Sequence, residues 1–100
     1  MLNQFVLVGK FKKVCVVDNS SMVILFVDVE RAIFNKNSDC NMDTFSIRLP
    51  WDNSIDCFKN CNNEHMVGIR GRIQIKKIEV DNLSMFVTEL VAEKISFLSI

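Results

Sequence analysis

Val67–Lys77 reads VGIRGRIQIKK, with Arg70, Arg72, Gln74 and Lys76 alternating with Ile69, Gly71, Ile73 and Ile75. A period of two is that of a β-strand, whose successive side chains point to opposite faces. Three cations and an amide therefore line one side of a sheet, and the isoleucines with one glycine form the side that packs against a core. The polar side is either a track for a polyanion or a solvated strand face, and the rest of the chain has to choose between them.

The neighbouring sequence is strand after strand. Asn3–Phe11 is rich in branched and aromatic residues and is broken by Gly9, where a bulge or bend is tolerated; Val14–Val17 can continue the pairing. Asp18–Ser21 is a turn by composition, and Met22–Phe34 is a long second strand, apolar on both faces over its first half. Asn35–Asp43 lacks an apolar period and reads as a hairpin loop, followed by a third strand over Thr44–Trp51 that Pro50 and Asp52 end. Asn53–Ser54 offers an N-cap for a short helix from Ile55 to about Cys61, which Asn62–Asn63 would stop. Strand four runs from Met66 to Val80, turns at Asp81–Asn82, and returns as strand five over Met85–Phe97.

Five strands with one helix between the third and fourth is the order of the OB-fold, a small Greek-key barrel that commonly binds single-stranded nucleic acids or oligosaccharides. An antiparallel sandwich is the competing arrangement. Barrel closure accounts better for Gly9 and Gly71, which sit inside strong strands where a tight bend or a close backbone approach is their natural use.

One hundred residues, 49% of them hydrophobic, make one domain with a radius of about 13 Å and a core that needs no disulfide or metal. Twelve basic and twelve acidic residues cancel. Strong, purely electrostatic attraction to nucleic acid or acidic membranes is thereby disfavoured, unless charge is segregated on one face. The clustering of Lys10, Lys12 and Lys13, and of Arg70, Arg72, Lys76 and Lys77, points to such segregation. No membrane span and no export signal are read in the chain, so a cytoplasmic protein with reduced cysteines is expected.

Cys57, Cys61 and His65 are spaced by four and would form a stripe on a continuous helix. The spacing is not a common zinc pattern and the asparagines interrupt the helix, so no metal or other cofactor is expected. His65 lacks a serine or cysteine partner, three glycines make no phosphate loop, and the carboxylate pairs Asp28 with Glu30 and Glu89 with Glu93 read as counter-charges to nearby cations. Catalysis is not expected.

Three motifs then carry a family resemblance. LNQFVLVGKF (Leu2–Phe11), VGIRGRIQ (Val67–Gln74) and VTELVAEKISFL (Val87–Leu98) resemble, in order and separation, bacterial single-stranded DNA-binding proteins. The resemblance implies an OB-fold, assembly through the first strand into dimers or tetramers, and binding of single strands by aromatic stacking and basic side chains. Carried over, it makes Phe45 and Trp51 stacking candidates, with Phe34 nearby, and puts Arg72, Gln74 and Lys76 on the DNA-contacting face. Arg70 extends that track by parity, and Arg48 and Lys10 are further phosphate candidates. The chain departs from the family at Ile78 and Ala32, where aromatics are usual, and in having no acidic tail after Leu98, the part that recruits replication and repair proteins. A short, tailless, divergent member or paralogue is implied.

Patterning conflicts with the resemblance at one place. In strand three Phe45, Ile47, Leu49 and Trp51 share a face, with Ser46 and Arg48 opposite, so alternation puts Phe45 toward the core. The expectation is a non-catalytic binder of single-stranded DNA in replication, recombination or repair. Its rival is an OB-fold accessory protein of the primosome type, working mainly through protein contacts.

Overall fold

The structure is a computed structural model that describes residues 1–17, 22–31, 41–51 and 54–98. Strands β1 (Phe5–Val16), β2 (Val23–Glu30), β3 (Met42–Leu49), β4 (Met66–Val80) and β5 (Leu83–Leu98) close into a barrel in the order β1-β2-β3-β5-β4. This is the OB-fold expected. All neighbours are antiparallel except β3 and β5, which meet in parallel at Ile47 with Leu90 and Arg48 with Val91 and so complete the barrel.

β1 serves two neighbours. Phe5–Lys10 pairs with β4, and Lys10–Val16 pairs with β2 around a bulge between Phe11 and Lys13. Gly9 sits where the strand passes from one partner to the other. A Cβ there would strike the backbone carbonyl of Asp28 and lie 2.8 Å from Val27 Cγ1 and 2.9 Å from Val29 Cγ2. The absence of a side chain is thus what lets β1 approach β2 so closely. The core is built from inward residues of every strand: Phe11, Leu25, Val27, Ile47, Leu49, Val67, Ile69 and Ala92 are buried, and Phe58 plugs one end.

Two local expectations change. Met42 and Asp43 belong to β3, not to a loop, because Glu30 and Val29 pair with them and Arg31 grips Asp43 through Nε (2.9 Å) and Nη2 (2.7 Å). The helix is a 3-10 helix over Ser54–Phe58, after which Cys61 N–H donates to the Phe58 carbonyl. His65 is part of the next turn: Asn62 N–H donates to its Nδ1 at 2.9 Å, and Phe11 N–H to its carbonyl. The turn expected at Asp18–Ser21 lies outside the described residues, as do Ala32 and Phe34.

The largest correction concerns the opening stretch. Val67, Ile69 and Gly71 face the core, but Ile73 and Ile75 do not; Ile75 is 64% exposed. β4 parts from β1 after Gly71, while its pairing with β5 continues to Val80 with Leu83, turned by Asp81 and Asn82 at φ 51° and 66°. Both central residues at positive φ suit the right-handed twist of a hairpin. The far half of this hairpin is therefore a two-stranded arm, and among the described residues no second layer covers Ile73 and Ile75. The radius of gyration, 14.9 Å, is accordingly above the value of about 13 Å for a compact chain of this length.

Candidate nucleic-acid interface

The register of β2 on β3 places Ile24 beside Arg48, Phe26 beside Ser46, and Asp28 beside Thr44. Partners in a ladder share a face, and their inward neighbours Leu25 and Val27 are buried, so these pairs point outward. The arm brings Gln74, Lys76 and Ile78 from β4 and Val87 and Glu89 from β5 to the same side. Together they shape a depression of about 220 Å³ lined by Ile24, Arg48, Lys76, Ile78, Val87 and Glu89.

Glu89 is the hub. Its side chain is only 13% exposed, and Arg48 Nη1 lies 3.7 Å and Lys76 Nζ 3.9 Å from its oxygens. Gln74 Nε2 donates to Glu89 Oε1 at 2.6 Å, and Arg72 Nε donates to Gln74 Oε1 at 3.3 Å. Arg72 also reaches Glu93 at 3.6 Å. Glu93 is the extra residue of a bulge opposite Arg70 and Gly71, which turns it to the cations' side. Each cation of this face thus has a carboxylate at hand. The half-exposed Arg72–Glu93 pair is worth about 0–1 kcal/mol, so an arriving phosphate can displace it at small cost, whereas the largely buried Glu89 holds Arg48 and Lys76 more firmly.

Arg48, Arg72, Gln74 and Lys76, singled out from the sequence, come together as expected. Arg70 and Lys10 do not join them. Arg70 lines a separate depression with Val6, Gly68, Lys94 and Ser96, on the outer side of β1, β4 and β5. Lys10 stands at the opposite end of β2, across from Asp28, in a depression that also holds Glu30. That end carries paired charges of both signs: Lys12 pairs with Asp28 at 3.9 Å, Thr44 Oγ1 donates to Asp28, and the Arg31 guanidinium holds the Asp43 carboxyl below its ordinary range.

The aromatic candidates separate as well. Phe45 is half-buried and packs against the core, as alternation in its strand requires. Trp51, just past the end of β3, is 40% exposed and rims a cleft with Phe58 and Phe97. Phe34 lies outside the described residues.

Phe26, Phe86 and the Phe97 of that cleft were not singled out from the sequence. Phe26 is half-buried on the outer side of β2, one outward position from Ile24, with Lys13 Nζ 4.9 Å from its ring centroid. This is a cation–π contact at the border of the Glu89 depression. Phe86, 71% exposed, stands on the arm across from Lys77. The run MVILFV is apolar at every position, so alternation could not assign Phe26 a face. Only the register with Ser46 does so.

No family model matches the chain. It is 28% identical over 102 residues to a single-stranded DNA-binding protein of Staphylococcus epidermidis, an alignment spanning 99% of this chain and 78% of that protein. Among solved structures, a Plasmodium falciparum SSB in complex with ssDNA superposes with a TM-score of 0.69 at 16% identity, covering 99% of this chain and 96% of the other. A small single-stranded DNA binding protein from Mycoplasma pneumoniae gives 0.66 at 14% identity, covering 96% and 93%. The structural likenesses fix the fold as the OB barrel of these proteins.

Proposed function

We propose that this short, divergent relative of the single-stranded DNA-binding proteins itself binds single-stranded DNA, without catalysis, through the face that carries Arg48, Arg72, Gln74 and Lys76. The observation that carries the reading is the convergence of Arg48 and Lys76 from two strands on one depression around Glu89, to which Gln74 and, through it, Arg72 are hydrogen-bonded, with Phe26 one outward position from its Ile24 wall. Phosphates exchange with Glu89 and Glu93 for the cations, and bases stack on Phe26 and Trp51. Stacking is worth about 1–3 kcal/mol per base and tolerates any base, so little sequence preference follows. With carboxylates already on the track, affinity per subunit is modest. A place in DNA replication, recombination or repair in the cytoplasm goes with this reading, and among the described residues no helix is long and apolar enough to cross a membrane.

Modest affinity makes assembly valuable, since linked sites raise the effective concentration of one another. The first half of β1 supports a homo-oligomer. From Phe5 to Val8 it pairs with β4 alone, leaving its other edge open among the described residues, and Val6 and Val8 are exposed. An open apolar edge of this kind is usually paired or covered. Sedimentation at micromolar concentration is expected to show a dimer or tetramer, and Val6→Asp to reduce it.

The test of binding is oligo-dT titration across salt with wild type and Arg72→Ala. The variant should bind more weakly, with a salt slope shallower by about 0.7, the value of one phosphate contact to a single strand. A second reading, an accessory protein acting through protein contacts, is favoured by the pairing of the track's cations with Glu89 and Glu93. Under that reading Arg72→Ala changes neither affinity nor slope.

A further inference from the structure

Below Trp51 the barrel end carries a cleft of about 220 Å³ lined by Trp51, Ser54, Cys57, Phe58, Ile95 and Phe97. Its walls are firm. Phe58 is buried, stacks on Phe11 with centroids 5.7 Å apart, and meets Phe97 at 5.4 Å with the rings tilted by 55°. Its rim is aromatic and open, because Trp51 and Phe97 keep large parts of their rings exposed. Its buried hydroxyl is unusual. Ser54 is 3% exposed, and its Oγ has no hydrogen-bond partner among the described residues. A buried hydroxyl left unpaired is destabilising and rare, and one that lines a cleft is satisfied by whatever fills the cleft.

We propose that this cleft takes one base of the bound strand, a pyrimidine by size, with Ser54 Oγ as its hydrogen-bond partner. The inference rests on the single-strand reading above. Among the described residues no cation lines the cleft, so they offer a phosphate nothing to bind there, whereas a base presents a flat ring to Trp51 and Phe97. An apolar cavity of about 150 Å³ holds benzene, so a cleft of 220 Å³ holds a single-ring base with its exocyclic groups. A phenylalanine or leucine from a protein partner would fill the space but leave the hydroxyl unpaired. A ring carbonyl or ring N–H pairs with it, since a hydroxyl both donates and accepts. Trp51 then acts as the lid of a pocket that reads an edge, and pairing at an edge brings a preference that open stacking lacks.

Two measurements on the full chain test this. Oligo-dT and a sugar-phosphate oligomer of equal length without bases are titrated against wild type and Ser54→Ala, a change that removes the orphan hydroxyl and leaves the fold at least as stable. The variant should lose about three- to tenfold in affinity for oligo-dT and nothing for the abasic oligomer. In the wild type, alkylation of Cys57, which is exposed and lines the cleft, should slow in the presence of oligo-dT and not of the abasic oligomer. Binding of oligo-dT with Ser54→Ala affinity and Cys57 alkylation both unchanged overturns the pocket alone. No oligo-dT binding by the wild type at low salt overturns the single-strand reading and the pocket with it.

Discussion

Gln74 and Glu89 face each other as register partners across β4 and β5, and the Gln74 amide donates to Glu89 Oε1 at 2.6 Å. The bond holds the carboxylate between Arg48 and Lys76, so the proposed phosphate track carries its own counter-charge. Glu89→Gln keeps the shape and removes the charge. Oligo-dT affinity at low salt should rise several-fold and the salt slope steepen by up to about 1.4, as two cations are freed to meet phosphates. Weaker binding with an unchanged slope would show that Glu89 is not in competition with the strand.

Gly71 and Gly68 make a matched pair for the barrel. At Gly71 a Cβ would collide with the Val91 carbonyl and come within 2.8 Å of Phe5 Cε1, whereas at Gly68 the nearest atom is Val8 Cγ2 at 3.9 Å. Gly71→Ala should therefore destabilise by about 2 kcal/mol or more in urea unfolding. Gly68→Ala should be neutral or stabilise by up to about 1 kcal/mol, through the smaller entropy of the unfolded chain.

These glycines show how much of the barrel was legible. Gly9 and Gly71 were readable as close-approach positions because strong strands surround them, and the five strands were found within a few residues of their ends. Ile73 and Ile75 misled. Their alternation is that of a core strand, yet burial depends on a second layer, and where β4 loses β1 the described residues supply none. The site was legible for its charges and not for its aromatics. Arg48, Arg72 and Lys76 share parities that pairing preserves, whereas Phe26 sits in an unbroken apolar run, and Phe45 answers to its own strand's alternation.

Asn3 precedes β1 but acts as part of its ladder. Its Nδ2 donates to the Ile73 carbonyl at 2.6 Å, and its Oδ1 accepts from Ile73 N–H at 2.9 Å, continuing the pairing of Phe5 with Gly71 by one side chain. Asn3→Ala should cost about 1 kcal/mol and should speed hydrogen exchange at the Ile73 amide well beyond the change at Ile69. Equal acceleration at both amides would mean global loosening instead of a local clamp.

Asp43 gives the fold an acid-sensitive contact. Its hydrogen bond from Arg31 lowers its pKa from 3.8, burial opposes this, and the Arg31 charge adds to the lowering. A carboxyl depressed in the folded state contributes stability above its unfolded value and loses it as pH falls through the folded one. Asp43→Asn should thus be less stable than wild type at neutral pH, and the gap should close on acidification well below 3.8. High salt should shrink the gap at neutral pH, because the pair is exposed.

The arm made by the far halves of β4 and β5 has a bearing on handling the protein at concentration. Among the described residues, β4 beyond Ile73 and β5 before Leu90 have no neighbour besides each other, so two rows of backbone donors and acceptors lie open next to Ile75, Phe86 and Leu83. Lys76, Lys77 and Glu79 interrupt those rows with charge, which discourages strand-on-strand growth between molecules. Colloidal behaviour and ligand capture thereby meet at Lys76. A substitution there that removes the charge to probe binding also removes a guard against fibrillar stacking, whereas Lys76→Arg keeps both.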